Sequence, residues 1–109
     1  MYYTYMIRCI DGSLYTGITN DLNKRMEAHF SKKGAKYTKS HKALKVEIAW
    51  SCRNKSFASK LEYYIKRLSK SDKEGLVSSG KINRYLKGKV DSRRYRLVDL
   101  GKVINSKYR

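Results

Sequence analysis

The chain has little that would staple it covalently or hold it in a membrane. Its 109 residues include no proline and only two cysteines, Cys9 and Cys52. These show no CxxC spacing and no paired His-x-x-x-His accompanies them, which comes close to excluding a structural zinc site. A disulfide is not expected in a reducing compartment, and both thiols read as small core residues. No run of about 18 apolar residues exists, so no transmembrane helix is expected. Met1 to Met6 lack a positively charged start ahead of a long apolar stretch, which argues against a secretory signal and for the cytoplasm. Acidic residues are scarce, nine against 26 Lys and Arg, a formal net charge of +17. Such a charge opposes compaction unless a polyanion neutralises part of it, so nucleic acid is the first partner to test.

What is present suffices for one small core. The length suits a single domain. A 40% hydrophobic content, with ten Tyr, two Phe and one Trp, is too rich for a basic disordered tail. The charge is segregated. Residues 1–30 hold three basic and three acidic side chains, 31–60 nine and one, 61–80 four and three, and 81–109 ten and two. A nearly neutral first segment flanked by basic zones fits a site with phosphate-binding arms.

Tyr3, Tyr5, Ile7 and Cys9 alternate as one face of a half-buried strand, and Asp11-Gly12 then signals a hairpin turn before Ser13 to Ile18. Thr19, Asn20 and Asp21 are capable helix caps ahead of Leu22, Met26, Ala28 and Phe30. Ser31 to Lys45 reads as a basic loop, and Val46 to Cys52 as a strand. Ser56 is the expected cap of a helix with the stripe Phe57, Ala58, Leu61, Tyr64, Ile65 and Leu68. A shorter helix is expected from about Ser71 to Val77. From Lys81 the apolar positions thin out, so residues 1–80 read as the domain and 81–109 as a basic appendage with a strand at Arg96 to Leu100. No internal repeat is visible.

Four features carry chemistry. A three-residue loop Ile10-Asp11-Gly12, with Gly12 left-handed, pairs Ile7 with Tyr15 and puts Tyr5 and Tyr15 on one face, whereas a two-residue loop separates them. Arg25 and His29 lie i,i+4 in the sector of Leu22, Met26 and Phe30, where a guanidinium could grip a phosphate at the core's edge. Glu62 borders the second helix's stripe, and one carboxylate suffices for a largely hydrated Mg²⁺; the competing reading is a capping box, Ser59-x-x-Glu62. The loop Gly34-Ala35-Lys36-Tyr37-Thr38-Lys39 is basic with an aromatic, a pattern common in strand contacts.

Tyr3-Thr4-Tyr5, Leu14-Tyr15-Thr16-Gly17-Ile18-Thr19, Asp21-Leu22 with Arg25 and His29, Gly34 to Thr38, and Leu61-Glu62-Tyr63-Tyr64-Ile65-Lys66 together resemble the GIY-YIG endonuclease superfamily, specifically its short stand-alone members. The resemblance covers roughly residues 2 to 80, with Tyr3, Thr4 and Thr16 departing from the motif letters. It implies an α+β fold, a small three-stranded antiparallel sheet flanked by helices, and hydrolysis of DNA phosphodiester bonds with Mg²⁺ or Mn²⁺, in DNA repair or processing.

Residue by residue, the resemblance places Tyr5, Tyr15, Arg25 and His29 in the catalytic set, with Tyr5 taking a proton from water, and makes Glu62 the metal ligand. Lys32, Lys33, Lys36, Tyr37, Lys39, Arg93 and Arg94 are the expected nucleic-acid contacts. Tyr5 could serve as base only if neighbouring cations depress its pKa. A domain this small favours selectivity by nucleic-acid structure over base sequence. The alternatives are a non-catalytic nucleic-acid-binding module, RNA included, and a protein-interaction subunit; a monomer is the default state.

Overall fold

The turn at Asp11-Gly12 organises the first two strands. In the computed structural model, which describes residues 1–31 and 41–109, β1 spans Tyr2–Cys9 and β2 spans Leu14–Thr19. Gly12 has φ +87° and its N–H donates to the Cys9 carbonyl at 2.9 Å. A residue with a Cβ is strained there, so glycine closes the three-residue loop. Ile7 pairs with Tyr15, as that loop requires.

β3, Ala43–Cys52, pairs with the other side of β1, and β4, Arg96–Leu97, pairs with β3. The antiparallel order is β2-β1-β3-β4, four strands rather than the expected three. The extra strand lies within the one suspected at Arg96 to Leu100; at two residues it is too short to show an alternation.

Because β1 is central, it is covered on both faces and not half-buried: Thr4, Tyr5, Met6 and Ile7 are all fully enclosed. Tyr5, Ile7 and Cys9 pack with Leu22, Met26, Val46 and Ala49 on one face. On the other, Met6 joins Ile48, Trp50, Cys52, Ala58, Leu61 and Ile65. Both cysteines are buried and free. The register between β1 and β3 shifts after Met6, whose partner is Ile48 while Ile7 pairs with Val46. This bulge at Glu47 lets Val46 and Ala49 face one cluster while Ile48 and Trp50 face the other.

The helices cover the two faces. α1, Leu22–Phe30, is capped by Asp21, whose carboxylate accepts from the Lys24 N–H at 3.1 Å, and it buries Leu22, Met26 and His29. α2, Lys55–Lys66, starts earlier than expected because Asn54, not Ser56, caps it, accepting from the Phe57 N–H at 3.0 Å. Thr4 Oγ1 donates to the Ala58 carbonyl at 2.8 Å and ties α2 to β1. α3, Lys70–Ser79, is capped by Ser69 and ends at Gly80. Arg8 joins three elements, bonding Glu47 of β3, Glu74 of α3 and the Gly12 carbonyl.

The segment expected as an appendage contributes to both clusters. α4, Ile82–Leu86, places Ile82 and Leu86 with Val90 and Tyr95 in the α2 cluster, and the Tyr95 hydroxyl donates to the Phe57 carbonyl at 2.7 Å. After α5, Leu100–Val103, Ile104 and Tyr108 enter the α1 cluster. These apolar residues are spread over short elements, so no single period advertises them.

Removing residues 81–109 would uncover both clusters. Each large apolar side chain is worth about 1.5–3 kcal/mol on burial, against about 5–15 kcal/mol for a whole domain. The truncated chain is therefore expected to lose cooperative thermal unfolding by circular dichroism. A transition as sharp as that of the full chain would make the segment an appendage on an independent 1–80 domain.

Candidate active site

Four side chains from β1, β2 and α1 meet at one end of the α1 cluster. The Tyr5 hydroxyl lies 2.6 Å from His29 Nε2, and Arg25 Nε donates to the same hydroxyl at 3.4 Å. The Tyr15 ring stands 6.3 Å from that of Tyr5 and 5.2 Å from the His29 ring, centroid to centroid. Tyr5 and His29 are buried, while Tyr15 and Arg25 are partly exposed. The i,i+4 spacing on α1 thus brings Arg25 and His29 to one phenol. Beside Arg25 runs an open groove of about 260 Å³, lined by Thr19, Asn20, Asp21, Lys24, Arg25 and Ala28.

Burial dominates the electrostatics. It pushes the Tyr5 phenol up to about 12; the Arg25 hydrogen bond opposes this, and the nearby Tyr15 and Glu62 add to it. The expected depression of Tyr5 is therefore not found, because one guanidinium at 3.4 Å does not offset complete desolvation. His29 is pushed down to about 4 by burial and then by the Arg25 charge. At neutral pH the pair is a neutral phenol beside a neutral imidazole, so the phenol can donate to an unprotonated Nε2.

Glu62 lies in the middle of α2, partly buried, with Lys66 Nζ 3.3 Å from its carboxylate. Ser59 is inside the helix, which removes the capping-box reading, since a cap must precede the first turn. Glu62 is near enough for its charge to be felt at Tyr5. Among the described residues no group of three or more His, Cys, Asp or Glu could hold an ion. A single carboxylate fits a hard, largely hydrated cation such as Mg²⁺ and not a caged transition metal.

Arg93 and Arg94 are exposed, and among the described residues their contacts are to Asp91 and Phe57 and not to Tyr5, Tyr15, Arg25, His29 or Glu62. Arg93 is paired with Asp91, and the Arg94 guanidinium lies 5.4 Å from the Phe57 ring centroid at the first turn of α2. Lys32, Lys33, Lys36, Tyr37 and Lys39 lie outside the described residues.

Gly17 is the residue that sequence reasoning did not single out. It pairs directly with Tyr5 across the hairpin, and a Cβ there would fall 2.5 Å from the Tyr5 hydroxyl oxygen and 3.0 Å from the Tyr15 ring. The signal was available once the loop length set the register. Gly17→Ala is expected to cost about 1–3 kcal/mol by overpacking, read as a lower urea midpoint. It should also separate Tyr5 from His29, seen in the histidine NMR signals; unchanged signals and stability would remove this role for Gly17.

His29 also sets a pH dependence of folding. Its folded pKa, about 4, lies below the 6.5 of an ordinary imidazole, so the unfolded chain binds the proton more tightly. The stabilisation is complete above about pH 6.5 and is lost as pH falls towards 4, amounting to about 3 kcal/mol. Denaturant titrations between pH 7 and 4 should show this slope, and His29→Gln should flatten it. An equal slope in the variant would place the titration elsewhere.

The family model described as the GIY-YIG catalytic domain matches residues 1–75. The chain is similar to UPF0213 protein FN1575 of Fusobacterium nucleatum, 53% identical over 71% of this chain and 77% of that protein. It is also similar to UPF0213 protein CPE1444 of Clostridium perfringens, at 45% over 75% and 88%. Among solved structures, the solution NMR structure of UPF0213 protein BH0048 from Bacillus halodurans is 43% identical, covers 72% of this chain and 84% of that one, and has a TM-score of 0.48. With the family model spanning well over half its length, the chain belongs to the GIY-YIG family, whose members are generally nucleases.

Proposed function

We propose that this protein is a metal-dependent endonuclease that hydrolyses phosphodiester bonds in DNA, selecting by nucleic-acid structure. The observation that supports it most is the buried Tyr5 hydroxyl held 2.6 Å from a neutral His29 and within reach of Arg25. Hydrolysis needs an activated water, charge stabilisation on the phosphoryl group and help for the leaving oxygen.

With Tyr5 at about 12, only about one molecule in 10⁵ carries a free phenolate at pH 7. A relay avoids that species: water admitted beside the enclosed Tyr5 oxygen when the substrate binds gives its proton to that oxygen as Tyr5 gives its own to His29 Nε2. As the nascent hydroxide forms its bond to phosphorus, the bond from phosphorus to the leaving oxygen breaks; the leaving oxygen takes a proton from solvent, and the imidazolium, stabilised meanwhile by the negative phosphate, returns its own to solvent. Arg25 binds a non-bridging oxygen through its terminal nitrogens, since Nε is turned to Tyr5. Tyr15, packed against both Tyr5 and His29, keeps the two rings in register. Glu62 would hold the divalent cation, which when bound would supply Lewis-acid charge to the phosphoryl group.

The test is cleavage of branched, flap, single-stranded and duplex DNA with and without Mg²⁺. The wild type is expected to cut only with Mg²⁺. Tyr5→Phe should retain the fold and lose about 10²- to 10⁴-fold in rate. Glu62→Gln should bind at least as well in metal-free buffer and lose cleavage at every Mg²⁺ concentration. An active Glu62→Gln variant would remove the metal role. Binding without cleavage in the wild type would leave a nucleic-acid-binding module.

A further inference from the structure

Tyr63 follows Glu62 on the outer side of α2, where neither the core nor the proposed chemistry uses it. It is 51% exposed. Its ring is nevertheless held in place. The Arg67 guanidinium lies 4.3 Å from the ring centroid and donates to the hydroxyl, and the Tyr64 ring meets it at 88° with centroids 5.1 Å apart. Tyr64 in turn packs against the α2 cluster, so the exposed ring is anchored through its neighbour. A solvent-facing aromatic contact of this kind adds only about 0.5–1 kcal/mol to the fold. A pre-ordered flat surface, however, loses little conformational entropy when a ligand stacks on it.

The surroundings select the ligand. Lys60 and Arg67 flank Tyr63 at i−3 and i+4, both exposed, and Lys66 at i+3 is exposed with its ammonium paired to Glu62. Aromatic and guanidinium planes layered among cations suit a nucleobase whose phosphates meet the ammonium groups. Bases inside a duplex already stack on one another, so only an unpaired base can use the surface.

We propose that Tyr63 and Arg67 form a stacking platform for an unpaired base, making the preferred substrate a nucleic acid with a single-stranded segment beside the scissile bond. This rests on the nuclease reading, since the platform is useful because it adjoins Glu62. A protein partner is the less favoured occupant, because a surface this cationic needs a polyanion.

The test is fluorescence anisotropy in EDTA, where nothing is cut, with one oligonucleotide presented single-stranded, as a duplex, and as an abasic strand of equal length. Wild type should bind the single strand more tightly than the abasic strand. Tyr63→Ala should weaken single-strand binding by about tenfold, in line with one lost base–aromatic stack. It should leave duplex and abasic binding unchanged, and so abolish the preference for bases. Tyr63→Phe keeps the ring and should behave as wild type, which separates stacking from loss of the hydroxyl contact. Equal losses on all three ligands, or none on the single strand, would overturn the platform while leaving the nuclease reading standing. Failure of the wild type to bind any of the three would overturn that reading and the platform with it.

Discussion

The site depends on how β1 and β2 are paired, and the three-residue turn sets that pairing. Side chains alternate with a period of two, so a slip by one residue would send Tyr15 to the α2 face and leave Tyr5 without its aromatic neighbour. The observed register also puts Gly17 opposite Tyr5, and the missing Cβ provides the volume that the phenol occupies. Tyr5 can therefore be wholly enclosed on a central strand, and that enclosure is the main reason its proton is held so tightly. A turn, a glycine and a pKa are steps of one cause.

Enclosing a phenol and an imidazole is tolerable because each meets the other's hydrogen-bonding need. Either group alone would carry the desolvation penalty of an unpaired buried polar atom, of order 1–3 kcal/mol. Among the described residues no buried side-chain nitrogen or oxygen lacks a partner. Arg25 adds a cation at the rim, yet its effect on Tyr5 is smaller than burial. The resting cluster is thus electrically quiet. In the proposed reaction an entering phosphate would oppose that balance at His29, since a nearby anion favours the imidazolium that burial disfavours.

Much of this was legible in the sequence where a local rule acts strongly. Asp11-Gly12 and the alternation from Tyr3 to Cys9 gave the hairpin, while its register and the shared face of the tyrosines were left between a two- and a three-residue loop, which the pairing of Ile7 with Tyr15 decides. The i,i+4 placement of Arg25 and His29 on an apolar sector gave their convergence. What escaped was decided by tertiary competition. Asn54 displaced Ser56 as the α2 cap because both can cap and only the incoming β3 geometry selects between them. The contributions of Ile82, Leu86, Val90, Tyr95, Ile104 and Tyr108 escaped because each comes from a short element. The rise in Tyr5 proton affinity needed a burial depth that no spacing reports.

The charge distribution divides labour between attraction and chemistry. Several of the nine carboxylates already have intramolecular work: Asp21 and Asp99 cap helices, Glu47 and Glu74 hold Arg8, and Asp91 holds Arg93. Few remain to offset 26 cations, so most of the excess charge has no internal counter-charge. That excess acts over roughly a Debye length, about 8–10 Å at ordinary salt, and draws a polyanion towards the surface as a whole. The Tyr5–His29 pair contributes almost nothing to this pull, being neutral. Under the proposed function, long-range binding and local proton transfer therefore fall to different residues. Surface cations can therefore drift in number and position without altering the geometry that Gly17, Tyr5 and His29 impose on one another.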